Sequence, residues 1–163
     1  MKRFLSVAAI LTLVLADAAV SAQSKPSFAG KWTMVPDPNA AAAAGGRGRG
    51  MAGGLGPEFT AVQDDKTLTV TTNNPQLGEL KTVYNLDGSE SKNPLNFGGQ
   101  TVDRVSKVKW DGAKLVITTT ISFNGNPAES TQTWMLDGSG SLVIESSSNF
   151  GGTPTTTKAT YKK

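Results

Sequence analysis

The 163-residue chain contains no cysteine and no histidine. Without cysteine no disulfide can staple the fold, so stability must come from the core alone. Without either residue the usual zinc sites cannot be assembled, nor can the common nucleophile–base pairs; only a carboxylate or Ser–Lys arrangement would remain for catalysis. The chain also lacks an Asp-x-Asp-x-Asp-Gly calcium loop and an Asn-x-Ser/Thr acceptor site. No catalytic residue, metal ligand or cofactor is assigned on these grounds, and a binding or structural role is expected. Long apolar runs are missing too, apart from one at the start, and that run is too short to span a bilayer.

That run, Phe4 to Leu15, follows basic Lys2-Arg3 and precedes the small residues Val20-Ser21-Ala22. The three parts predict a signal peptide over 1–22 and export to a periplasm or the extracellular medium. No cysteine stands at the cleavage site, which excludes lipid anchoring by that route. The mature chain, 23–163, is long enough for one domain with a substantial core. Taking Lys2, Arg3 and Asp17 from 16 basic and 13 acidic residues leaves 14 and 12, close to neutral. Nucleic acid is therefore not an expected partner, and the two arginines of Arg47-Gly48-Arg49-Gly50 give too few phosphate contacts to change that.

What the mature chain has in quantity is short β segments. Phe28 to Val35 is the first, ended by Pro36 and Pro38. A low-complexity stretch over 39–57, rich in alanine and glycine, predicts one long mobile loop. Further strands are expected at 59–63, 67–72, 79–86, 102–110, 114–123, 128–136, 141–148 and 155–162. Their connections include Asp87-Gly88, Asp111-Gly112 and Asp137-Gly138, residues that tolerate turn backbones. Nine strands on short links predict an all-β, antiparallel up-and-down meander closing into an eight- to ten-stranded barrel, which removes exposed edges.

Alternate strand residues share a face, so parity separates inside from outside. Leu115, Ile117, Thr119, Ile121 and Phe123 fall on one side, and Val116, Thr118, Thr120 and Ser122 on the other. A threonine-rich outer face argues against a barrel set in lipid. The same parity groups Val102, Arg104, Ser106, Val108 and Trp110, then Ser130, Gln132, Trp134 and Leu136, then Leu142, Ile144, Ser146 and Ser148. Each group is apolar beside its Asp-Gly turn and polar at the other end. This predicts an interior with an apolar half and a polar half, as in a small-molecule pocket. If no strand is missed, the 39–57 loop shares the end of the two tryptophans.

Gly30-Lys31-Trp32 matches the Gly-x-Trp element that begins the first strand of lipocalins and fatty-acid-binding proteins. With the long first loop and a closing strand that carries Tyr161, the mature chain resembles the calycin superfamily. It resembles more closely still small exported bacterial proteins that combine this start with Trp-Asp-Gly hairpins. The resemblance implies a barrel plugged at its base by Trp32, with an interior that takes a small molecule. The chain departs from the family at its ligand residues. The Arg-x-Tyr pair that holds a carboxylate in fatty-acid-binding proteins is replaced by Ala159 two before Tyr161, with Lys158 on the opposite face. The lipocalin disulfides and the histidine of the nitric-oxide carriers are missing as well.

Candidate ligand-binding residues are Arg104, Trp110, Ile117, Gln132 and Trp134. An inward arginine is costly unless paired and can fix a carboxylate or phosphate. The tryptophans and Ile117 would form apolar walls. The expected function is a non-catalytic, monomeric, exported barrel that binds a small, mainly apolar or amphipathic molecule. The alternative is a structural or interaction module of the cell envelope with a solid interior and no ligand.

Overall fold

The computed structural model describes residues 24–36, 55–75, 77–97, 99–123, 126–149 and 154–163. The expected signal segment, 1–22, lies outside the described residues, as does the 39–57 loop except for its last three residues. The described residues form twelve strands: β1 Gly30–Met34, β2 Glu58–Gln63, β3 Thr67–Asn74, β4 Gly78–Asn85, β5 Ser91–Lys92, β6 Leu95–Phe97, β7 Gln100–Val102, β8 Arg104–Asp111, β9 Lys114–Phe123, β10 Asn126–Leu136, β11 Leu142–Ser148 and β12 Thr155–Lys162. Ten of them make one antiparallel sheet in the order β4-β3-β2-β1-β12-β11-β10-β9-β8-β5, and β6 and β7 pair separately as a hairpin. Chain neighbours are sheet neighbours almost throughout. The pairing of β1 with β12 then curls the sheet round into a nearly closed barrel, as the strand pattern predicts.

The sheet leaves one seam, between β4 and β8, and side chains close it. The Asn93 backbone N–H donates to the Arg104 carbonyl of β8 (2.8 Å). Its side-chain amide both accepts from the Val83 N–H (2.8 Å) and donates to the Val83 carbonyl (2.9 Å) of β4. One asparagine thus imitates a strand residue toward both neighbours. The Asn85 N–H donates to Ser91 Oγ (2.7 Å), and Arg104 Nη2 donates to Thr82 Oγ1 (2.7 Å), across the same seam.

The β2–β3, β4–β5, β8–β9 and β10–β11 connections gather at one end, here called the base. Three of their aspartates shape the turns. Asp64 accepts from the Lys66 and Thr67 N–H groups, Asp87 from the Ser89 hydroxyl and N–H, and Asp137 from the Ser139 hydroxyl and N–H and the Ser141 N–H. These bonds favour the carboxylate and hold all three groups below the ordinary 3.8; the Lys66 N–H acts most on Asp64, and the Ser89 and Ser139 hydroxyls act most on Asp87 and Asp137. With folded values depressed, the stabilisation is complete above the unfolded value and is lost as the pH falls through the folded values. The expected result is that a variant carrying Asp64→Asn, Asp87→Asn and Asp137→Asn shows a smaller fall in melting temperature from about pH 5 to about pH 2 than the parent. Equal falls would contradict it.

Phe28, just before β1, stacks on Trp110 at the base with centroids 6.1 Å apart. β1 therefore runs away from the tryptophans, and its link to β2 opens at the other end of the barrel. The described flanks of the 39–57 stretch, Met34 on one side and Leu55 to Pro57 on the other, therefore lie away from the end where the expectation with no strand missed put them. The two-residue strand β5 is the cause, because it adds one reversal before β8. The flanks of that loop are tied together, with the Met34 N–H on the Pro57 carbonyl (2.7 Å) and the Tyr161 hydroxyl on the Gly56 carbonyl (3.1 Å).

Candidate functional site

Inside the base, apolar side chains meet across the lumen. Phe28, Trp32, Leu68, Leu115, Trp134 and Leu142 have no exposed surface. The Trp134 ring packs edge-on to Phe28 (5.8 Å) and tilted against Phe59 (5.6 Å), while Phe59 meets Tyr161 at 5.0 Å. Such tilted and edge-on contacts suit the ring quadrupoles and add to the burial itself. Trp32 donates its indole N–H to the Phe28 carbonyl (2.8 Å), and the Lys163 ammonium lies 5.0 Å from its ring centroid. Gly30 makes that approach possible: its φ is +146°, and a Cβ there would stand 2.7 Å from Lys163 Cε. The Gly-x-Trp element thus lets the last residue cross over the first strand and cover the tryptophan plug.

The far half of the lumen is polar. Along β8, Trp110, Val108, Ser106 and Arg104 succeed one another on the inner face, and their cross-strand mates on β9 are Leu115, Ile117, Thr119 and Ile121. Ser106 and Thr119 share a hydroxyl hydrogen bond of 2.8 Å. Ser130 and Gln132 continue the polar face on β10, and both are buried. Arg104 is the only inward-facing cation among the described residues. Its Nη2 reaches Thr82, but its Nε is buried without a hydrogen-bond partner. The ion pairs formed by the described residues, Lys31–Glu58, Lys107–Glu90 and Lys158–Glu145, all lie on the outer wall and leave Arg104 without a carboxylate. Tyr84 stands close enough to feel its charge. Burial raises the phenol above its usual 10.0, and the arginine opposes that rise.

The five candidate residues divide between these halves. Trp134 and Ile117 belong to the packed base, and Gln132, paired in register with Ile117, accepts the Trp134 indole N–H at 3.1 Å. Trp110 is half-buried at the base, with the Lys25 ammonium 5.3 Å from its centroid and its own indole N–H lacking a partner. Arg104 stands apart from these four, at the opposite end of β8. Sequence reasoning missed Thr82 and Tyr84, which parity along 79–86 already placed on one face. It also missed Asn93, for which a lone asparagine beside a proline gave no signal.

A nearly closed antiparallel barrel with a first-strand tryptophan at its plugged base defines a calycin-like fold. Among solved structures, zebrafish ileal bile acid-binding protein complexed with cholic acid is similar to it, with a TM-score of 0.53 and 25% sequence identity over 83% of this chain and 98% of that one. No family model and no curated protein sequence matches the chain.

Proposed function

We propose that the protein is an exported, non-catalytic barrel that binds a small amphipathic acid, with the anionic group at Arg104 and the remainder in the far half of the lumen. The observation that carries this reading is Arg104 itself. A partly buried guanidinium with an unpartnered Nε and no carboxylate beside it is costly, and a ligand anion relieves that cost with charge-assisted hydrogen bonds. The cholic acid held by the zebrafish protein, an amphipathic carboxylic acid, supports the same reading. Because the chain's own side chains fill the apolar half, we place the ligand in the polar half, with mixed contacts. The filled base also favours the second reading, an envelope module without a ligand.

Calorimetric titration with stearate and cholate separates the two readings. Arg104→Leu is expected to weaken binding of the acids by about 10- to 100-fold, the worth of hydrogen bonds to a charged group. The melting temperature should change little, because the substitution also removes the orphaned Nε. Equal binding by the variant would reject the role of Arg104, and no binding of either acid by the parent would leave the envelope module.

A further inference from the structure

We infer that the ligand carries hydroxyl groups, read by a row of six inward hydroxyls that crosses the barrel wall beside Arg104; this rests on the proposed binding at Arg104 and specifies the chemistry of the molecule bound. The row follows from register. Ser91 pairs with Ser106, Ser106 with Thr119, Thr119 with Ser130, Ser130 with Ser148, and Ser148 with Thr155, on the adjacent strands β5, β8, β9, β10, β11 and β12. Directly paired residues share a face of the sheet, and burial of Ser91, Ser106 and Ser130 shows that the face is the inner one. The row rises from those buried positions through half-buried Thr119 and Ser148 to exposed Thr155.

A solid core would place aliphatic side chains here. On β9 the inward positions on either side of the row are aliphatic, Ile117 toward the base and Ile121 toward the far end, while on β8 and β10 they are mixed, Val108 and Arg104 on the one and Gln132 and Ala128 on the other. Where the hydroxyls bond one another, at Ser106–Thr119 (2.8 Å) and Ser148–Thr155 (2.9 Å), each pair uses one of its two O–H donors and keeps the other, together with free lone pairs. The row therefore offers donor and acceptor capacity at steps of about 4.8 Å, the strand spacing, which suits a ligand bearing several hydroxyls. Arg104 precedes Ser106 by one inward step on β8, so a carboxylate on its unpartnered Nε lays the body of the molecule against Ser106 and Thr119.

The class is a carboxylic acid with hydroxyl groups along its body, from either a lipid or a sugar source. An apolar pocket would prefer the bare acid, since each added hydroxyl must be desolvated. A site built to bond hydroxyls rejects the analogue that lacks them. The test is calorimetric titration of the mature chain with stearate, dihydroxystearate and glucuronate. Dihydroxystearate is expected to bind at least about tenfold tighter than stearate. The near-isosteric double variant Ser106→Ala, Thr119→Val should bring that preference below about threefold, and Ser130→Ala provides a second variant should the double one fail to fold. Where dihydroxystearate is preferred over stearate, glucuronate binding as tightly as dihydroxystearate assigns the sugar acids and weaker binding assigns the lipid acids; both support the inference. If stearate binds as well as dihydroxystearate and glucuronate does not bind, the inference is overturned and binding at Arg104 stands. If none of the acids binds, both are overturned.

Discussion

Alanine in place of Trp134 is expected to lower the unfolding free energy by about 3–5 kcal/mol, the range for truncating a large buried aromatic. The physical reason is the number of elements this one indole joins. It is fully buried, packs on Phe28 of the N-terminal lead and on Phe59 of β2, and donates to Gln132 on its own strand. Phe28 in turn stacks on Trp110 and Phe59 meets Tyr161, so loss of the indole loosens contacts on β8 and β12 as well. Urea unfolding of the variant measures the effect. A loss below about 1 kcal/mol would show that Trp134 borders open space and that the base is not packed.

Asn93→Ala is expected to cost about 1–3 kcal/mol, because it strips the Val83 N–H and carbonyl of their partners at a seam that no strand pairing spans. The effect should also be local. Hydrogen exchange should accelerate at Val83 and its neighbours on β4, while β9, β10 and β11, which are paired on both sides, keep the protection of the parent. Uniform acceleration across all strands would contradict an effect confined to the seam. The seam matters to binding because Arg104 and Thr82 form its inner lining, so the wall that holds the proposed anion site is also the part of the barrel that no strand ladder joins.

Alternation made most of the fold legible in the sequence. Lys114–Phe123 matches its expected limits, with Leu115 and Ile117 buried and Ser122 exposed. Thr155–Lys162 also matches, whereas Val102 to Trp110, expected as one strand, is divided at Asp103 into β7 and β8. β5 escaped because Ser91-Lys92 is too short to alternate. Asn93-Pro94 and Gly98-Gly99 around β6 read as loop for the same want of periodicity. Missing one two-residue strand was enough to reverse the end at which the link between β1 and β2 opens, since each strand reverses the chain.

The site was legible in type and less so in place. Parity placed Arg104 on the inner face and separated an apolar half from a polar one, and both features are present. Parity could not show whether the apolar half was hollow, because that depends on what fills it. Phe28, carried in from the lead before β1, closes it against Trp110 and Trp134. Parity put Ser106, Thr119, Ser130 and Ser148 on inward faces, but their alignment into one row was not legible, since it depends on register between strands and on the short strand β5.

Where a ligand lies in the barrel is tested most directly by an amide chemical-shift map of residues 23–163 titrated with dihydroxystearate. The expected map has its largest changes at Thr82, Arg104, Ser106, Thr119 and Ser130, with Leu115, Trp134 and Leu142 little affected. Largest changes at Leu115, Trp134 and Leu142 would contradict the account, because they would place the ligand in the half that the chain's own side chains fill.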